Sequence, residues 1–166
     1  LDLFLPKIHD DKILAAALEK AVAIPSKSIL FNIDQKADVI SKTQSDALLA
    51  VFVKVFDETC GYYGKQPYIA QFERELDRDG LFDDFKTQFK QLSSNDWDWG
   101  RARPARVASF IDQAFNQVTG QNVNGVLDKF RLDYRLSIED FANHVQAWID
   151  KQAPNFRLNF FVDEVG

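Results

Sequence analysis

The chain has 166 residues, 46% of them hydrophobic and 15 of them Phe, with a formal net charge of −5 at pH 7. That length and apolar content suffice for one sizeable core, and the acidic balance argues against direct binding of nucleic acid by this chain. Apolar runs are broken by Lys or Asp within a few residues, so neither a transmembrane span nor a signal peptide is expected; the single Cys60 excludes an internal disulfide and an all-Cys zinc site and fits a reducing compartment, the cytoplasm by default.

The chain opens on Leu1-Asp2-Leu3-Phe4-Leu5-Pro6, an extended lead-in closed by proline. Asp10-Asp11 then offers an acidic helix start, and Lys12 to Ala23 carries an apolar side of Ile13, Ala16, Ala17 and Leu18 until Ile24-Pro25 breaks the helix. Ser28 to Ile33 is a short apolar strand, rich enough in large residues to be buried on both faces. Asp34 follows at its carboxyl end, the edge where open α/β sheets place their ligands.

A long helical region comes next. Ser45 to Cys60 has a broad apolar face, and Gly61-Tyr62-Tyr63-Gly64 ends it. Pro67 suits a first helical turn, after which Ile69, Phe72 and Leu76 make one stripe until Asp79-Gly80; Phe82, Phe85, Phe89 and Leu92 make the next. After a loop with Trp97 and Trp99, Pro104 opens a helix striped by Val107, Phe110, Ile111, Ala114, Phe115 and Val118 and stopped by Gly120. Val123 to Phe130 is a shorter helix. Ser137 and Asp140 resemble a capping arrangement for the last helix, which Pro154 ends.

The final stretch, Phe156 to Gly166, is an apolar strand running into the adjacent carboxylates Asp163 and Glu164. Like charges repel, so an apolar run that delivers them side by side suggests a bound cation or a polarised water, as in a Walker B strand. In that reading Asp163 holds Mg²⁺ at the phosphates and Glu164 orients the attacking water. The same pattern also describes an ordinary strand entering a polar turn, and Asn159 stands where a fourth apolar residue is expected before the aspartate. No Gly-x-x-x-x-Gly-Lys-Ser/Thr loop occurs, so the chain is not expected to bind ATP usefully alone. With no Met and a Leu at position 1, it is expected to be a piece of a longer protein, the phosphate loop lying upstream.

Other groupings point to plainer roles. Glu75, Asp77, Asp79, Gly80 and Asp83 follow the start of a calcium loop, but Lys86 occupies the place of its bidentate glutamate, which favours a charged helix-turn-helix. Arg101, Arg103 and Arg106 read as a solvated basic face, with a phosphate-contacting arginine as the alternative. Trp97 and Trp99 read as packing under a loop, with an aromatic edge presented to a partner as the alternative. His9 and His144, far apart and without neighbouring ligands, argue against a metal site there.

Three stretches together resemble one family. Ser28 to Asp38, containing Phe31-Asn32-Ile33-Asp34-Gln35-Lys36, the Phe-rich helix leading to Gly61-Tyr62-Tyr63-Gly64, and Asn159 to Gly166 are similar to the large P-loop ATPase of bacterial BREX phage-defence systems, the BrxC/PglY type. The resemblance implies a larger bacterial cytoplasmic ATPase of the AAA+-like group, using ATP and Mg²⁺ and working with a DNA methyltransferase and other defence components. It assigns the Mg²⁺-associated aspartate to Asp163 and the catalytic glutamate to Glu164, and carries over no arginine finger.

The expected fold is α/β and predominantly α-helical, a partial P-loop domain with two parallel strands: helix and strand in 1–42, a helical insertion in 43–153, and the Walker B strand in 154–166. A homo-oligomer would suit such an ATPase. The alternative is a non-enzymatic helical interaction module in which Asp163-Glu164 is only a turn; a metal-dependent nuclease lacks a further carboxylate or lysine to complete its cleft.

Overall fold

The computed structural model describes all residues except Leu1, Asp2, Phe4, His9, 34–43, Leu136 and 164–166, together with the side chains of 44–46. It separates into two compact units, one made of residues 1–36 and 138–166 and the other of residues 37–137. The chain thus leaves the first unit, builds the second, and returns.

In the first unit a short 3-10 turn, Leu5–Lys7, precedes helix α1, Lys12–Ala23. Asp11 caps α1 by accepting the Leu14 N–H at 2.9 Å, and Ile24 is extended because the proline that follows disfavours helix there. Strand β1, Ser26–Asn32, pairs in parallel with β2, Arg157–Asp163, in an unbroken register from Ser26 opposite Arg157 to Asn32 opposite Asp163. The last helix of the chain, Ile138–Asp150, belongs to this unit, so the helical insertion closes at Ser137 and the helix after it returns to the strands. Its Trp148 packs edge-on against Phe156 at 5.5 Å and lies 5.8 Å from the Lys27 ammonium.

The expectation that β1 is buried on both faces does not hold. Ile29 and Phe31 are buried, but Leu30 between them is 78% exposed, and its register partner Phe161 is 55% exposed. Strand side chains alternate between faces, and among the described residues only the Ile29 and Phe31 side is covered.

The second unit holds six helices among its described residues: α2 Gln44–Cys60, α3 Pro67–Arg78, α4 Phe82–Ser93, α5 Trp97–Arg101, α6 Pro104–Thr119 and α7 Val126–Asp133. The helix Ile138–Asp150 is then α8. Pro67 and Pro104 sit in first turns, where the missing N–H costs nothing. At the end of α3 the Leu81 N–H reaches the Leu76 carbonyl at 2.8 Å and Gly80 adopts φ +72°, so Asp79-Gly80 stops the helix as its sequence indicates. The core is aromatic. Phe72 meets Phe85 and Phe130 edge-on at 5.1 and 5.4 Å and tilts against Trp97 and Phe115. Each fully buried Phe contributes about 2–3 kcal/mol of hydrophobic stabilisation. Trp97 is buried and begins a short helix, where a loop was expected.

Candidate functional site

The parallel register fixes where the proposed carboxylates emerge. Asn32 and Asp163 are the last residues of their strands and stand opposite one another, so both strands present their carboxyl ends at one edge of the sheet. Register partners share a face, and the pair continues the row begun by Leu30 and Phe161. Asp163 is exposed and Asn32 half-buried. Glu164 and Asp34, one and two residues beyond these strand ends, lie outside the described residues.

A carboxylate beside a carboxamide supplies hard oxygen donors. Mg²⁺ takes one or two carboxylates and completes its shell with water and phosphate oxygens, so the chemistry of Asp163 and Asn32 fits such an ion. Among the described residues no group of three or more His, Cys, Asp or Glu is arranged to hold a metal.

The calcium-like stretch resolves into protein contacts. Asp77 accepts from the Tyr62 hydroxyl at 2.8 Å, Glu75 from Gln71, Asp79 from Arg78, and Asp83 pairs with Lys86. His144 lies on α8, and His9 is outside the described residues.

Two buried polar centres in the helical unit were not expected. Glu73, fully buried, accepts from the Tyr63 N–H at 2.6 Å, the Trp97 indole N–H at 2.6 Å and Arg101 at 3.2 Å. Arg101 also donates to the Gly61 carbonyl, pairs with Asp98 and lies 5.3 Å from the Tyr63 ring centroid. It therefore ties the Gly61–Gly64 turn to α3 and α5, and is not part of a solvated basic face. Gly64 is required there: a Cβ would lie 2.7 Å from the Lys54 carbonyl oxygen. The second centre is the buried Asp57–Arg74 pair between α2 and α3, whose Asp57 Oδ2 and Arg74 Nε have no hydrogen-bond partner among the described residues.

Both centres had a sequence signal. Glu73 lies three residues before Leu76 and four after Ile69, inside the apolar stripe of α3; Asp57 holds the equivalent place after Val53 and before Cys60 on α2. A charge within a helical stripe is a buried polar centre if its helix packs through that side.

An open groove of about 420 Å³ runs between α3, α6 and α7, floored by Ile111 and Leu127. Its polar rim is satisfied internally: Tyr68 donates to Gln66, Asp128 pairs with Arg131, and Asp112 accepts the Gly125 and Val126 N–H groups.

No family model matches the chain, and no solved structure matches it. Among the described residues no helix is long and apolar enough to cross a membrane.

Proposed function

We propose that the chain is part of the ATP-binding and hydrolysing domain of a BREX-type defence ATPase, contributing the Asp163-Glu164 pair of its Walker B strand. The observation that carries this reading is the parallel pairing of β1 with β2 across an insertion of more than a hundred residues, with Asn32 and Asp163 closing the ladder together. Such a crossover brings two distant carboxyl-terminal strand ends to one edge, the place where open α/β sheets bind ligands. The resemblance of Phe31 to Lys36 and of Val162 to Gly166 to the BrxC/PglY type supports the same reading.

In that role Asp163 supplies an anionic oxygen to Mg²⁺, with the Asn32 carboxamide beside it. Glu164 positions the attacking water by accepting a hydrogen bond. Bound Mg²⁺ would neutralise phosphate charge. The helical unit, with a core of its own, is the element that nucleotide-dependent movement would displace, and the domain would act in the bacterial cytoplasm beside a DNA methyltransferase and further copies of itself.

The alternative, a helical interaction module without catalysis, draws on that same self-contained aromatic core. Mg²⁺-ATP titration of a polypeptide joining this chain to a phosphate-binding loop separates the two. Asp163→Ala should weaken binding by at least about tenfold on the first reading, a loss of about 1.4 kcal/mol, and leave it unchanged on the second.

A further inference from the structure

The arginines of the α5–α6 corner divide sharply. Arg101 is committed internally, whereas Arg103 and Arg106 are exposed and form no ion pair among the described residues. In a chain with 25 acidic and 20 basic residues, Arg74, Arg78, Arg101 and Arg131 each find a carboxylate. The acids nearest this corner in sequence are already engaged: Asp96 by Lys90, Asp98 by Arg101, and Asp112 by the start of α7. Among the described residues, these two cations, three positions apart, have no carboxylate partner.

One of them is also held in place. The Arg103 guanidinium lies 4.9 Å from the Trp99 ring centroid and donates to the Trp99 carbonyl at 3.3 Å, while Trp99 keeps 38% of its surface exposed. A stacked guanidinium is already oriented, so it loses less freedom when it takes a carboxylate in its planar fork. Arg106 follows in the first turn of α6, its N–H bonded to the Arg103 carbonyl, and Ala102 before Arg103 and Ala105 before Arg106 are small and exposed. Trp and Arg are the residue types that dominate binding energy at protein interfaces.

We propose that Trp99, Arg103 and Arg106 form a docking surface for an acidic segment of a partner protein, its carboxylates received by the two guanidiniums and an apolar side chain set against the exposed part of the indole. Nucleic acid fits less well. The guanidinium covers a face of the ring on which a base would stack. The proposal is independent of the nucleotide reading.

The test is fluorescence anisotropy of the full chain with a labelled peptide of alternating Glu and Leu, in competition with unlabelled oligothymidylate of matched charge. The peptide should bind the wild type, more weakly as salt rises, and about tenfold more weakly to an Arg103→Ala, Arg106→Ala double variant whose melting temperature is unchanged. Arg103→Lys, which keeps the charge but loses the fork, should fall between. Absence of peptide binding, equal binding to wild type and double variant, or displacement of the peptide by oligothymidylate would overturn the proposal, the last result assigning the surface to nucleic acid.

Discussion

The indole N–H of Trp97 donates to the Glu73 carboxylate at 2.6 Å, joining two residues 24 positions apart in a fully buried contact. Glu73 also receives the Tyr63 N–H and Arg101, so one carboxylate fixes α3, α5 and the turn after α2. Glu73→Ala leaves Arg101 and the indole short of an acceptor inside the core. It should destabilise the helical unit by about 3–5 kcal/mol, read from the denaturant midpoint by circular dichroism.

Titration of the buried acids has a definite sign. Burial pushes the Glu73 carboxyl above its ordinary 4.5, and the bonds from Trp97, Tyr63 and Arg101 oppose that shift without cancelling it; burial likewise raises Asp57 above 3.8 despite Arg74. A raised folded-state pKa stabilises fully below the unfolded pKa, and that contribution is lost as pH rises through the folded value. The stability of wild type minus that of Glu73→Gln should therefore shrink as pH rises from about 4 into the mildly acidic range. Thermal melts of both proteins across that range check it, and a difference that grows with pH contradicts it.

The Asp57–Arg74 pair should behave asymmetrically. Asp57→Ala alone strands a guanidinium that is only 10% exposed and should cost about 3 kcal/mol or more. Replacing both, Asp57→Leu with Arg74→Met, removes the two unpartnered atoms and should be neutral or stabilising by up to about 4 kcal/mol. Denaturant unfolding of the two single variants and the double variant decides this.

Gly100 on α5 lies directly against Phe89. A Cβ there would come within 2.7 Å of Phe89 Cε1 and closer still to Cζ, so Gly100→Ala should cost about 1–3 kcal/mol. Adding Phe89→Leu should recover part of the loss, which thermal melts of the single and double variants would show.

Much of the helical framework was legible because local rules and tertiary packing agree. Lys12–Ala23 follows from Asp11 and Pro25, α3 and α6 from Pro67 and Pro104, and the end of α6 from Gly120, which takes φ +71°. Where they part, tertiary contacts prevail. Trp97 sits in a stretch with loop composition yet becomes helical, because its ring is enclosed by Phe72, Phe85 and Phe89 and its N–H has Glu73. Arg101 shares its charge with Arg103 and Arg106, and sequence spacing alone could not reveal that Glu73, 28 residues earlier, would draw it inward. Leu30 looked like core because a run of large apolar residues does not say how many faces its sheet will cover. At the candidate site the pairing of strand ends was legible; the surroundings of Asp34 and Glu164 depend on residues outside those described.

Whether Asp163 and Glu164 serve a nucleotide site is decided by ATP turnover alongside Mg²⁺-ATP binding in the polypeptide joined to a phosphate-binding loop, wild type against Glu164→Gln. The substitution preserves size and removes only the carboxylate that orients water. The variant should keep Mg²⁺-ATP and lose turnover by about a hundredfold or more. Equal turnover in the two proteins, or the absence of ATP binding in both, would contradict the nucleotide reading and leave a helical interaction module as the function of the chain.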